Sequence, residues 1–412
     1  MASTPRIRDL PYSPGIHTPG STNSILDVPG VHISQFTTPT TTKSNSTPAN
    51  STSSCKGLTL ISPRPPQYYH NPCAASTFTF NGNGELTGTR QIHDWGFINT
   101  PIAFTNSLSL GTVFDGVWDW VLEQQDSKGW SGRDRSRNYG TPVVGETADW
   151  LVNSDLRESR LGKEDVRECF EGLRSKEGGV VVQEGQFGGG AGMTCHQFAG
   201  GTGTSSRIVG GGEGSEGEFT VGVLVQTNYG HLVDLQVGGV PVGKILKKER
   251  EAIGGGEEEQ GVDVHAPEAD VGRVQDGSIL VLIITDAPLS SHQLNRVARH
   301  ATVGLAQVGG HGVGRTFSGD IFLAVSTAEQ GPQQLEGAEM RHMNPTQTYA
   351  AKVVKNESID PYFYAASEAT EEAILNSMLG GSPGVVGMDG TKVDGFPVER
   401  VRELLKKHLV SM

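Results

Sequence analysis

The most constraining stretch of this chain is Gly277-Ser278-Ile279-Leu280-Val281-Leu282-Ile283-Ile284-Thr285-Asp286-Ala287-Pro288. The unbroken apolar run from Ile279 to Ile284 reads as a strand buried on both faces. Asp286-Ala287-Pro288 closes it, because proline donates no ladder hydrogen bond and restricts the residue before it. At the other end stand a glycine and a serine. With no Cβ, Gly277 leaves its carbonyl open to attack, and a Ser278 hydroxyl fixed beside it can take over the acyl group from nitrogen. Hydrolysis of that ester would leave Ser278 as a new N-terminus, carrying nucleophile and amine in one residue. Taken alone, Gly-Ser ahead of a strand is far more often a plain turn, so the pair by itself decides nothing.

The 412 residues suffice for one large domain or two ordinary ones, and 35% hydrophobic residues allow a sizeable core. Glycine, at 56 residues, is about twice its usual share, which implies tight turns and close backbone approaches. A net charge of −13 argues against nucleic acid or an anionic membrane as partner. Cys55, Cys73, Cys169 and Cys195 form no Cys-x-x-Cys pair, so neither a zinc ribbon nor a disulfide framework is suggested. The N-terminus lacks a signal-peptide core and no apolar run reaches membrane-spanning length. The expectation is a soluble, cytoplasmic, mixed α/β protein without a cofactor.

Taken in order, residues 1–20 are polar and proline-rich and read as a mobile arm, and 21–412 as one domain. Asn23 to Ile33 reads as strand, Pro-Gly turn, strand. Residues 37–54 are almost wholly Thr, Ser, Pro and Asn and read as a disordered insertion. Strands are expected over Gly57–Ile61, Ala74–Phe80, Val180–Gly185, Phe219–Asn228 and Ile321–Val325. A turn is expected at Asn81-Gly82-Asn83-Gly84, and a polar loop from Asp126 to Tyr139. Val113, Val117, Trp120 and Val121 predict a helix over 112–123, and Glu164–Arg174 a second. Residues 244–276 read as a flexible insertion. Ser290 to Gln293 resembles a capping box ahead of a helix with Leu294, Val297, Ala298, Ala301 and Leu305 on one face. Amphipathic helices are expected over Ser367–Met378 and Val398–Leu409. Strands and helices mix without strict alternation, which favours a layered α/β sandwich over a doubly wound sheet.

Several chemistries lack support. The glycine-rich segments Gly188–Gly192 and Gly200–Thr204 have no Gly-Lys-Ser/Thr and read better as close backbone packing beside a site. No His-x-x-x-His pair with a nearby glutamate occurs. Ser318-Gly319-Asp320 precedes a buried strand, and its hydroxyl and carboxylate, two residues apart in an extended segment, point to one side. They can relay a proton together, or simply form a turn. Asn228 ends a strand and is either an oxyanion donor or a turn asparagine. Glu146 is either a partner for a substrate ammonium or a solvated loop carboxylate.

In chain order these segments are Asn23-Ser24-Ile25-Leu26-Asp27-Val28-Pro29-Gly30-Val31, Asn81–Gly88, Thr100-Pro101-Ile102, Pro142–Thr147, Val221–Gly230, Gly277-Ser278 with Thr285–Leu289, and Ser318–Ala324. Together they resemble the DmpA family of L-aminopeptidase/D-esterases and β-peptidyl aminopeptidases, from about residue 20 to 330. The resemblance implies a four-layer αββα sandwich similar to N-terminal-nucleophile hydrolases, with distinct connectivity. It implies self-cleavage between Gly277 and Ser278 into chains 1–277 and 278–412, which stay together and form a homo-oligomer, for instance a tetramer. Ser278 would be the nucleophile, Ser318 and Asp320 would assist proton transfer, Asn228 would help form the oxyanion hole, and Glu146 would bind the ammonium of a small peptide or amide substrate. Some relatives have glutamate where this chain has Asp320, and an aromatic residue where it has Ala148. An acyltransferase on the same fold, whose relatives usually carry a threonine nucleophile, and a non-catalytic binding scaffold are the competing readings.

Overall fold

A computed structural model describes residues 4–38, 43–44, 51–52, 55–153, 156–253, 277–310, 313–328, 346, 348–387 and 392–410. Its principal strands are β1 (His32–Thr37), β2 (Gly57–Ser62), β3 (Cys73–Gly82), β4 (Phe97–Ile98), β5 (Ile102–Asn106), β6 (Val143–Thr147), β7 (Thr202–Gly210), β8 (Glu218–Asn228), β9 (Ser278–Thr285) and β10 (Gly319–Ser326). The helices are α1 (Thr89–Trp95), α2 (Leu110–Ser127), α3 (Gly132–Arg137), α4 (Lys163–Glu171), α5 (Val242–Ile253), α6 (Ser291–Gly309), α7 (Asp360–Gly380) and α8 (Val398–His408).

The apolar run of β9 lies inside a six-stranded sheet of order β7-β8-β9-β10-β3-β4. Its neighbours are β8, antiparallel, and β10, parallel. Strand alternation sends Ile279, Val281 and Ile283 toward α6 and α7, and Leu280, Leu282 and Ile284 toward a second sheet. That sheet has four strands in the order β1-β2-β5-β6 and meets the first through Ile33, Ile61, Ile102, Phe104 and Val143. Its outer face, with Leu58, Leu60, Ala103 and Val144, is covered by Val113, Val117 and Trp120 of α2 and Val166 and Phe170 of α4. Helix, sheet, sheet and helix give the expected αββα sandwich. Ser290 caps α6 in a capping box with Gln293. Among the described residues no helix is long and apolar enough to cross a membrane.

Six expectations need correction. The described part of 1–20 is no loose arm: Ile7 and Leu10 are buried in the helix-side core, and Arg6 and Arg8 pair with Glu184 and Glu372, each at 2.9 Å. Ile25–Asp27 is a 3-10 turn, because Ser24 caps it and Asp27 reaches back to the Ser24 N–H at 3.1 Å. Val180–Gly185 makes no ladder beyond a single bridge from Gly185 to Thr202. The polar loop after Asp126 holds the short helix α3, started by a Ser131–Asp134 capping box. Residues 244–253 belong to α5, whose Val242 and Leu246 pack into the core. The rest of 244–276, and most of 37–54 apart from the paired Lys43–Ser44 and Ser51–Thr52, lies outside the described residues. Helix α7 has the expected position but no polar face, since Glu368, Glu371 and Glu372 are all buried.

Candidate active site

Ser278 is the first residue of β9 and lies directly across from Asn228, the last residue of β8. Gly277, just before it, is pressed against β8: a Cβ there would stand 2.2 Å from Tyr229 Cα and 2.3 Å from the Asn228 carbonyl oxygen. Glycine is therefore required by the close approach of two backbones. On the other side, the Gly319 N–H donates to Ser278 Oγ at 3.2 Å. The start of β10 thus aims a backbone donor at the serine hydroxyl.

Gly319 lies between the two residues that the sequence pairs. Ser318 Oγ donates to Asp320 Oδ2 at 2.6 Å, and the Gly314 N–H donates to the same oxygen at 2.7 Å. Both side chains are fully buried. Burial raises the Asp320 carboxyl above the usual carboxylate range, and the hydrogen bonds from Ser318 and Gly314 pull it back down. The loop before Ser318 is clamped by the Asn81–Gly84 turn. Asn81 Nδ2 reaches the Arg315 carbonyl at 2.6 Å and the Ser318 carbonyl as well, and Asn83 Nδ2 reaches the Phe317 carbonyl at 2.8 Å.

The same turn carries Glu146 into the neighbourhood. A Cβ on Gly84 would lie 3.2 Å from Gly319 Cα and 3.5 Å from Glu146 Oε1, so only a glycine separates the carboxylate from the start of β10. Glu146 sits on β6, beside Thr105 of β5. Oε1 accepts from the Glu85 N–H at 2.9 Å, and Oε2 from Ser107 Oγ. A carboxylate has about four lone-pair sites, so these two bonds fix it without exhausting it. Asp149, three residues on, is pushed up to about 6 by burial; Asn153 and Asn106 counter the shift, and the Glu146 charge adds to it.

Asn228 is anchored from both ends of its amide. Nδ2 donates to the Ala148 carbonyl at 2.5 Å, and Oδ1 accepts from the Thr194 N–H at 3.1 Å. One of the two Nδ2 hydrogens is thereby used. All five expected side chains thus gather where β8, β9, β10, β6 and the Asn81–Gly84 turn meet. Ser278, Asn228 and Glu146 are half-buried, and the Ser318–Asp320 pair is closed off behind them. The glycine-rich span packs tightly nearby: a Cβ on Gly189 would fall 2.4 Å from the Phe104 carbonyl oxygen.

Sequence reasoning missed Ser107, Glu85 and Thr194, and the donor role of the Gly319 N–H. Ser107 follows directly on β5, the neighbour of the strand that carries Glu146, and this was the available signal. The other three contribute backbone groups, on which side-chain identity is silent.

The model of "Peptidase family S58" matches residues 23–393. The chain is 34% identical over 410 residues to "Beta-peptidyl aminopeptidase BapA" of Sphingosinicella microcystinivorans, covering 99% of this chain and 93% of that one. Among solved structures it superposes on a Burkholderia sp. beta-aminopeptidase with a TM-score of 0.78 at 36% identity, covering 99% of this chain and 100% of the other. It matches the L-aminopeptidase D-Ala-esterase/amidase of Ochrobactrum anthropi, described as a variant of the Ntn hydrolase fold, with a TM-score of 0.78 at 33% identity, covering 98% and 99%. A family match over nearly the whole chain, full-length relatives and a shared sandwich lead to one conclusion: the chain belongs to peptidase family S58, the DmpA family of aminopeptidases.

Proposed function

We propose that this aminopeptidase matures by cutting itself between Gly277 and Ser278, and that Ser278 then removes the N-terminal residue of short peptides, amides or esters. The observation that carries the reading is the Gly319 N–H donated to Ser278 Oγ, with the Ser318–Asp320 pair flanking Gly319 and Asn228 directly across the strand pair from Ser278. In maturation, Ser278 Oγ adds to the Gly277 carbonyl carbon and the amide nitrogen leaves as the amine of Ser278. Water then hydrolyses the ester, giving a Gly277 carboxylate and a free hydroxyl. In turnover, the same hydroxyl attacks the carbonyl of the substrate's first residue and expels the rest of the substrate as an amine or alcohol, and water then cleaves the acyl-enzyme to release that residue. An α-amino group titrates near pH 8, so part of it is a free base at neutral pH, and either this amine or the Ser318–Asp320 pair takes the hydroxyl proton. The second Nδ2 hydrogen of Asn228 serves the oxyanion. Glu146 receives the substrate ammonium, and because interior residues of a peptide carry none, only the first residue is removed.

Chains 1–277 and 278–412 stay together after the cut. β9 and β10 of the second chain lie between β8 and β3 of the first, hydrogen-bonded on both flanks. The mature protein works as a cytoplasmic homo-oligomer of cut chains. The four cysteines are buried and none is in a disulfide, which suits a reducing compartment. The test is the denatured intact mass of wild type beside Ser278→Ala. Two fragments of roughly two-thirds and one-third of the full mass in wild type, and one uncut chain in the variant, are expected. An uncut wild type, inert toward alanine and β-alanine amides, would bring the binding-scaffold reading forward.

A further inference from the structure

Behind the active-site strand, on its helix side, three buried polar atoms have no hydrogen-bond partner among the described residues: Tyr229 Oη, Asp320 Oδ1 and His196 Nε2. Leaving such atoms unpaired is costly, so three in one region need an explanation. Tyr229 neighbours each of the other two. Tyr229 follows Asn228 and leans over Gly277, where a Cβ would come within 2.6 Å of its own Cβ. Glycine at 277 thus lets Tyr229 lie close against the start of β9. The Tyr229 phenol and the Asp320 carboxylate act on each other electrostatically, and the Tyr229 and His196 rings meet edge-to-face at 5.1 Å.

The chemistry of the three atoms is complementary. His196 Nδ1 lies 3.0 Å from the His231 carbonyl oxygen and must carry its proton there, which leaves Nε2 as an acceptor. Burial drives the ring down to about 4, so it is neutral at working pH; the hydrogen bond to the His231 backbone and the Asp234 charge oppose the shift, and the His231 ring adds to it. The ring is held in place by backbone: a Cβ on Gly230 would stand 2.7 Å from Nδ1. Asp320 Oδ1 is a second acceptor, since Oδ2 takes the bonds from Ser318 and Gly314. Tyr229 Oη is the one donor. Two acceptors and a donor are what a single water needs: it gives a hydrogen to each acceptor and receives the phenol proton.

We propose that Tyr229, His196 and Asp320 enclose an internal water, and that Tyr229 is a positioning residue which through this water holds Asp320 ionised and oriented toward Ser318. The proposal rests on the Ser318–Asp320 reading above, and it extends the proton path from the serine hydroxyl to the far face of the sheet. The titratable groups that face the phenol are Cys195, Asp320 and the His196 ring.

A crystal structure of the uncut Ser278→Ala protein at water-resolving resolution tests the site without relying on activity. One ordered water within hydrogen-bond distance of all three atoms is expected. Direct pairing among the three atoms, or a dry gap, overturns the proposal. Kinetics test the role. Tyr229→Phe is expected to lower kcat about tenfold on alanine amides, the size of one hydrogen bond to a charged group, with KM unchanged. The acidic limb of its kcat/KM profile should move up by about one pH unit, because the carboxylate loses support. Should Tyr229→Phe cut itself only slowly, the pH dependence of that self-cleavage against wild type gives the same readout. A superimposable profile, or an equal loss at every pH with a raised KM, overturns the positioning role. Asp320→Asn with wild-type turnover would instead sink the catalytic reading while leaving the water site standing.

Discussion

Ser318 Oγ and Asp320 Oδ2 lie 2.6 Å apart across Gly319, whose own N–H donates to Ser278 Oγ. A buried hydroxyl–carboxylate pair and the nucleophile are thus joined by one peptide unit, and none can shift without the others. Ser318→Ala removes the hydroxyl yet leaves the Gly314 bond and the strand intact. The fold should survive, and hydrolysis of alanine amides should slow by about two or more orders of magnitude. Turnover and thermal melting measured on the same sample decide it, and near-normal kcat removes Ser318 from the mechanism.

Glu146 is fixed by Ser107 and the Glu85 N–H, with lone pairs to spare. Glu146→Gln keeps the shape and loses the charge. KM for free-amine substrates should rise by about tenfold or more, as expected for a charge-assisted bond lost from a partly buried site. An N-acetylated ester, which has no ammonium, should be hydrolysed equally by variant and wild type. A raised KM on both substrates would mean that Glu146 shapes the pocket without reading charge.

Gly277 tests whether close approach or flexibility explains the glycine. A Cβ there would meet Tyr229 Cα at 2.2 Å and the Asn228 carbonyl oxygen at 2.3 Å, so β8 and β9 would have to part where Ser278 faces Asn228. Gly277→Ala should therefore slow self-cleavage at least about tenfold, followed by intact mass over time. Cleavage at the wild-type rate would show that the two backbones separate without consequence.

The features legible in the sequence are those that local pattern fixes. β9 declared itself by an apolar run that only a doubly covered strand needs, α6 by the Ser290–Gln293 box, and the Ser318–Asp320 pair by the two-residue strand period. What stayed hidden depends on partners far along the chain. α7 read as amphipathic because its glutamates look solvent-seeking, whereas Arg207 on β7 and Arg8 near the N-terminus come to them. The same ion pairs turn the polar N-terminal residues from a loose arm into a packed strap. Neither reading was reachable without the tertiary fold, since a buried charge is tolerated only when its partner is in place.

That strap carries a pH dependence with a definite sign. Tyr12 donates a short hydrogen bond to Glu371 on α7, and burial pushes the Glu371 carboxyl up to about 7; Tyr12 and Arg207 counter the shift, and Glu372 and Glu368 add to it. A carboxyl raised in the folded state binds a proton more tightly there than in the unfolded chain. Between its unfolded value near 4.5 and about 7, the folded protein therefore holds more protons, and stability falls as pH rises through this window. The contribution is fully present below 4.5 and lost above 7, on the order of 3 kcal/mol for a shift of this size. Glu371→Gln, a permanent mimic of the protonated form, should flatten the slope of denaturant-measured stability between pH 5 and 8 and leave the variant the more stable protein at pH 8. If instead the variant loses stability at pH 8, the ionised carboxylate is paired with Arg207 in the native state, and the strap is held by charge at every pH.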